Sequence, residues 1–484
     1  MRRRLAAAGK AGRRWLFLGH RWLGILTGLL FATWFASGLV MLYVGFPALT
    51  ESERRAGLPG LDWDAVRIAP DAALAAAGAE RFPRDLRLAM LDREPVYRVT
   101  LWDGTRRTVS ARDGHPVAGI DAALALAVAA ADPRAVRPRA IGRVGRDQWT
   151  VVARYDPLRP FHLIDLGDAA GTRLYVSART GEIALDTSRT ERVWNWLGAI
   201  PHWIYPTPLR ARAGLWRDAV LWVSGVCAAA AVTGFWIGLL RVRLRRRYRD
   251  GRATPYRGWS AWHHVAGLAG GVALIAFIVS GWLSVNPNRW FGPRAPSEAM
   301  LERYAGETAP RLALDPAALR SACADAVEIR FRHLAGAPVA AVACRDGGTV
   351  TAGLGPERLR EAAGRLLPEA GPPEIDRLAE EDAYWHGGRT LPVLRARFAD
   401  PEATWFHIDP ATGEILDRLD RSGRAYRWLF DGLHTLDLGP LSWRPTLRKT
   451  LIWILSALGL ATAISGTVIG WRRLRRLAAG PRRA

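Results

Sequence analysis

Four runs of the chain are long and apolar enough to cross a bilayer, since about 20 such residues rising 1.5 Å each span roughly 30 Å of hydrocarbon. They are Trp15 to Phe46, Leu215 to Leu240, Trp259 to Val285 and Leu451 to Trp471, the last starting near residue 449. The first is too long for a signal-peptide core and lacks a small-residue cleavage site, so it reads as a retained span. Between the runs lie two long segments, 48–214 and 287–448, with the pattern of mixed α/β structure. PVYRVTLWDGTRRTVSA (95–111) is strand-rich with a turn at Asp103-Gly104, and TRLYVSARTGEI (172–183) and TWFHIDPATGEI (404–415) predict hairpins turning near Thr-Gly. The alanine-rich stretches 121–132 and 316–327 predict helices.

The pattern occurs twice. At an offset of 232, RVWNWLGAIPH (192–202) overlays RAYRWLFDGLH (424–434), TGEI overlays TGEI, and TGFWIG (233–238) overlays SGTVIG (465–470). At an offset of 243, His20 falls on His263, Gly24 on Gly267, Gly28 on Gly271 and the Ser-Gly of 37–38 on that of 280–281. The chain therefore reads as two copies of span, outer segment, span. Two spans per copy give both copies the same orientation, a parallel repeat about an axis near the membrane normal.

Charge sets the expected orientation. The net charge of +23 is concentrated in three short segments: six basic residues from Arg2 to Arg14, eight from Arg241 to Arg257 and six from Arg472 to Arg483. Less the single acid Asp250, they carry 19 of the 23 charges. All three abut spans, which is the positive-inside signal rather than a nucleic-acid surface. The expected order is a basic cytoplasmic N-terminus (1–14), spans at 15–46 and 215–240, a cytoplasmic loop (241–257), spans at 259–285 and 449–471, and a basic tail (472–484). Both termini are then cytoplasmic, and the outer segments carry interfacial stretches at 192–210 and 424–445. Several of the 22 tryptophans lie at span ends, as in an interfacial aromatic belt. Cys227 lies inside a span as a packing residue, whereas Cys323 and Cys344 share the second outer segment and could pair in an oxidising compartment.

The span sequence GHRWLGILTGLLFATWFASGL, the DPATGEI hairpin and the lead-in RWLFDGLHTLDLGPL together resemble the bacterial PepSY-associated transmembrane family. The resemblance covers about Trp15 to Arg476. It implies a four-helix inner-membrane protein with two extracytoplasmic PepSY-like α/β domains. It also implies similarity to ferric-siderophore reductases, which hold two b-type haems through membrane histidines.

Of ten histidines, the duplication selects four: His20 with His263, and His202 with His434. His20 and His263 begin their spans at the basic end, with Gly24 and Gly28, and Gly267 and Gly271, following at i+4 and i+8 on nearly the same helix face. A planar porphyrin needs two axial ligands and flat helix surfaces, and two such helices facing each other would supply both. The same glycine spacing also suits plain helix packing, and Gly234 with Gly238 and Gly466 with Gly470 repeat it without a histidine. His202 and His434 could ligate a second haem, or shape the site where an outside substrate meets the electron carrier. His264 has Arg21 as its counterpart, and both are candidates to hold haem propionates.

Walker, GxGxxG, HExxH, GxSxG and SxxK motifs are absent, and no CxxCH supports covalent haem attachment. EEDAYWHGG (380–388) could contact a metal or siderophore, but reads more simply as a solvated loop. Two functions remain. One is a haem-dependent oxidoreductase passing electrons from a cytoplasmic donor or quinol to an outside acceptor such as a ferric siderophore. The other is a non-enzymatic membrane protein whose PepSY-like modules bind peptides or regulate proteases.

Overall fold

A computed structural model describes residues 2–479; Met1 and residues 480–484 of the expected basic tail lie outside the described residues. The chain forms two compact units, one of Met1–Phe46, Val193–Phe291 and Ala425–Ala484, the other of Pro47–Arg192 and Gly292–Arg424.

The first unit is helical. Three of its helices are long and apolar enough to cross a membrane: α1 (Arg2–Met41), α2 (Ala213–Arg241) and, last in the chain, Pro445–Ala478. The third run, expected as one span over 259–285, is instead broken into α3 (Trp259–Ala269) and α4 (Gly271–Leu283), bent by 69°; the last helix is therefore α5. The break falls at Gly270-Gly271, where helix propensity is lowest and neighbours take the room that side chains would need. A Cβ on Gly270 would lie 2.9 Å from Leu458 Cβ, and one on Gly271 would enter the Phe235 ring. α1 packs on α2 and α5, α3 on α5 and α4 on α2. Small residues allow the close approaches, with Gly28 against Thr467 and Gly470 against Ile25. Apolar side chains also face outward, Leu26 being 75% and Trp222 74% exposed, which suits hydrocarbon rather than water.

The interfacial stretches are not continuous helices. They divide into short pieces, Ala199–His202 and Thr207–Arg210 in the first and a π-helical turn Arg427–Gly432 in the second. Gly198, with φ −98° and ψ −107°, and the prolines 201, 206 and 208 interrupt the first; Gly432, Gly439 and Pro440 interrupt the second.

The second unit joins the two outer segments through one sheet. β1 (Asp85–Leu91), β2 (Glu94–Thr100), β3 (Arg106–Ser110) and β4 (Pro116–Val117) come from the first segment, and a four-stranded sheet follows: β5 (Arg139–Val144), β6 (Phe161–Asp165), β7 (Arg173–Ser177), β8 (Ile183–Thr187). The second segment repeats the plan with β9 (Ala326–Leu334), β10 (Ala337–Cys344) and β11 (Thr349–Ala352), then β12 (Glu374–Leu378), β13 (Val393–Arg397), β14 (Trp405–Ile408) and β15 (Ile415–Leu419). Antiparallel pairing of β1 with β9, Leu86 opposite Phe331, fuses the two meanders into seven strands in the order β11-β10-β9-β1-β2-β3-β4. Both expected hairpins are present, turning through Gly181 and Gly413 at φ +68°. Asp121 caps the expected helix, now Ala122–Ala130. The second alanine-rich stretch, 316–327, is not a helix: after a short turn at Pro316–Leu319 the chain enters β9 at Ala326. Alanine propensity is worth only a few tenths of a kcal/mol per residue. Within this stretch Ala326 pairs with Cys344 of β10 and Cys323 is tied to the same Cys344 by a disulfide, which draws the chain into the sheet.

A charge network crosses the β1–β9 seam. Arg87, buried, meets Glu182 at 2.7 Å, Asp85 at 2.6 Å and Glu328 at 3.5 Å, and Arg54 meets Glu328 at 2.7 Å. Burial pushes the Glu328 and Glu182 carboxyls up, but the arginines outweigh it and hold both below the usual range. Glu51, facing Arg54 and Arg330, is likewise lowered to about 2. Loop 380–388, expected as solvated, is partly buried: Asp382 holds Arg395, whose Nε donates to His407 at 2.8 Å, and Trp385 stacks on that imidazole. Burial, with Arg395 beside it, pushes His407 down to about 4.

Removing one partner of a buried ion pair costs about 3–5 kcal/mol. Arg87→Met should therefore lower the thermal midpoint of the full-length protein far more than Arg112→Met, whose pair with Glu94 is exposed. Acid should destabilise the same unit. The buried neutral His407 loses stability as pH falls from about 6.5 towards 4. The depressed carboxylates add to this below about 4.5, Glu51 down to about 2. Denaturant midpoints at pH 7, 5 and 3 should fall in that order.

Candidate functional site

The duplication paired four histidines by sequence, and the fold pairs the same four across the two halves. The His20 and His263 ring centres are 6.2 Å apart with planes inclined at 31°; those of His202 and His434 are 6.0 Å apart at 71°. An imidazole nitrogen bonds a first-row metal at about 2.0–2.1 Å. With about 1.1 Å from nitrogen to ring centre on each side, two rings ligating one iron from opposite sides stand roughly 6 Å apart. Both pairs have that separation.

One device holds all four rings. Each imidazole lies against a Ser-Gly or Thr-Gly step of a helix in its own half: His20 at Thr233-Gly234 of α2, His263 at Ser465-Gly466 of α5, His202 at Ser37-Gly38 of α1 and His434 at Ser280-Gly281 of α4. Nδ1 meets the carbonyl three residues before the hydroxyl residue: Ala230 at 3.2 Å, Thr462 at 2.9 Å, Trp34 at 3.2 Å and Phe277 at 3.1 Å. The hydroxyl donates to that same carbonyl in every case, at 3.0–3.1 Å. The glycine makes room for the ring edge. A Cβ there would lie 2.5 Å from His20 Cε1, 3.0 Å from His263 Cε1, 3.2 Å from His202 Cε1 and 3.3 Å from His434 Cε1.

A carbonyl can only accept, so Nδ1 carries the proton and Nε2 its lone pair. Among the described residues no donor reaches the Nε2 of any of the four. Paired lone pairs in an apolar bundle are costly unless something electron-poor lies between them. Pinning Nδ1 on a carbonyl is also how metal-bound histidines are oriented. The donor set, the ring separations and the glycine cradles thus fit two bis-histidine haems.

His20 and His263 open into a cavity of about 610 Å³, within the range of sites for drug-sized ligands and cofactors. Gly24, Gly28, Gly267 and Gly271 all line it, yet none lies beneath a histidine; they flank the space while Gly234 and Gly466 support the rings. Arg21 and His264 line it too, with Arg257, Arg472, Arg473 and Arg476. Among the described residues Arg21, Arg473 and Arg476 have no carboxylate partner. His264 is turned away from the pair: its Nε2 donates to the Gly238 carbonyl at 3.1 Å, and its Nδ1 has no partner.

The supporting glycines are not legible in the sequence: Gly234 and Gly466 lie in runs without a histidine and suit plain packing, while Gly38 and Gly281 lie at the far ends of their runs from His20 and His263. Each of the four apolar runs contains a Ser-Gly or Thr-Gly step, but the step alone does not mark a cradle, because Thr27-Gly28 and Ser224-Gly225 are further examples that receive no imidazole. The remaining histidines lie apart from these pairs. His162 is bonded to the Ile120 carbonyl, His115 to Asp113, and His333 packs on Phe82.

No family model matches the chain, and no curated protein is significantly similar to it. The site rests on its own geometry.

Overpacking a tight contact costs about 1–3 kcal/mol. Gly234→Ala, whose methyl would meet the His20 ring at 2.5 Å, should lower the thermal midpoint in detergent more than Gly281→Ala, where the ring is 3.3 Å away. Equal losses would contradict the cradle geometry.

Proposed function

We propose that this protein crosses a bacterial inner membrane four times and carries two b-type haems that pass electrons to an extracytoplasmic acceptor. The acceptor class implied by the family resemblance is a ferric siderophore. The observation that carries the reading is the duplicated histidine pair, two sets of inward-facing imidazoles with ring centres 6.2 and 6.0 Å apart, each pinned through Nδ1.

In this reading the bent pair α3–α4 is the fourth span, and the basic segments place both termini in the cytoplasm. Bound haem supplies reversible one-electron iron chemistry. The residues supply the rest. His20 and His263 present two lone pairs at the basic end, and His202 and His434 present two at the other. Eighteen residues of α1 separate His20 from the cradle glycine Gly38, about 27 Å at 1.5 Å per residue. Two relay points therefore divide a barrier too thick for one electron hop. Arg21, Arg257, Arg472, Arg473 and Arg476 offer guanidiniums at the mouth of the inner cavity, suited to propionate carboxylates. At the outer face, one electron converts ferric to ferrous iron, which hard oxygen ligands hold less tightly, so the metal is released. A quinol or a cytoplasmic reductant is the matching donor.

Purified protein should show a Soret band and, on dithionite reduction, the sharp α and β bands of bis-histidine b-type haem, with two haems per chain. A colourless protein would leave the non-enzymatic, peptide-binding reading. His20→Ala and His263→Ala should each remove the same single haem, and His202→Ala and His434→Ala the other. Loss of different haems within a pair would refute the pairing.

A further inference from the structure

We propose that the two haem sites are electronically unlike, and that Phe430 is the positioning residue that makes the outer one so, by holding the plane of His434 across that of His202. This rests on the haem reading above.

The inner rings are inclined at 31°, close to parallel; the outer rings at 71°, close to perpendicular. An axial imidazole donates π density into the iron d orbital perpendicular to its own plane. Near-parallel rings raise the same orbital and split the dπ pair. Near-perpendicular rings raise one orbital each and leave the pair nearly degenerate. In the low-spin ferric state the first arrangement gives a rhombic paramagnetic resonance spectrum with three well-separated g values. The second gives a highly anisotropic spectrum dominated by one large g value.

The outer geometry has an identifiable cause. The bond from Nδ1 to the Phe277 carbonyl fixes one edge of His434 but permits rotation about that axis. Phe430 removes the freedom by stacking on the ring, centres 5.1 Å apart and planes at 18°, and is itself stacked on Tyr426 at 5.3 Å. Tyr426, Phe430 and His434 follow at four-residue intervals through the π-helical turn Arg427–Gly432. The first half has no counterpart. Gly198 stands at the position equivalent to Phe430, and a Cβ there would meet Val40 Cγ1 at 3.1 Å. Among the described residues no aromatic ring stacks on His202, His20 or His263. The duplication thus produced two alike pairs, and one ring added in the second half distinguishes them.

The test is paramagnetic resonance of the oxidised, full-length protein, with haem counted on the same sample by its pyridine complex. Two haems per chain with one rhombic and one large-g signal of equal integrated intensity are expected. His263→Ala should remove the first signal and His434→Ala the second. Phe430→Leu should move the large-g signal towards rhombic values with the haem count and inner signal unchanged, and Phe430→Tyr should restore it. Two haems giving one kind of signal in the unsubstituted protein would overturn the proposal, needing no variant to fold. So would a large-g signal indifferent to Phe430→Leu. A sample without haem would instead overturn the functional reading on which it rests.

Discussion

The bundle depends on a hydrogen bond between an imidazole Nδ1 and a helix carbonyl that already serves its own helix. A histidine in an apolar interior costs free energy unless its polar atoms are engaged. This fold engages one nitrogen four times in the same way, beside a hydroxyl that shares the carbonyl and a glycine that admits the ring. The consequence is a fixed tautomer and a fixed edge, leaving the other nitrogen to whatever the bundle holds. Cavity, cradles and pairings all follow from repeating that bond at both ends of both halves.

The second unit uses repetition differently. Where the helical unit pairs histidines across the halves, the second unit pairs β1 with β9 and places Arg87, Glu182, Glu328 and Arg54 along the seam. Those charges are expensive to bury and are held by one another. They oppose slippage of the two meanders, because a shift in register would separate each arginine from its carboxylates.

Much of this was readable in the chain. His20 with His263 and His202 with His434 emerged from offsets alone, because duplicated halves keep equivalent residues equivalent in space. The hairpins at Gly181 and Gly413 were visible because a turn demands positive φ, a local property. What remained hidden depended on neighbours distant in sequence. Gly234 and Gly466 matter because of rings on other helices, and nothing within α2 or α5 announces this. The bend at Gly270 follows from Leu458 and Phe235 crowding two positions. The loss of the helix at 316–327 follows from Cys344 of β10, which pairs with Ala326 and is bonded to Cys323. Loop 380–388 read as solvated because its burial comes from Arg395 and His407 on other strands.

The β1–β9 pairing has a consequence for how the molecule is made. During synthesis the first half emerges with β1 as an open strand edge and with His20 and His202 lacking their opposite numbers. His20 waits for His263, the β1 edge for β9 (Ala326–Leu334), and His202 for His434. The two copies repeat one unit, yet each leaves a strand edge and two imidazoles for the other to meet. Each half thus supplies the surface on which the other closes, and the order of synthesis sets the order in which the edge and the ring pairs are satisfied.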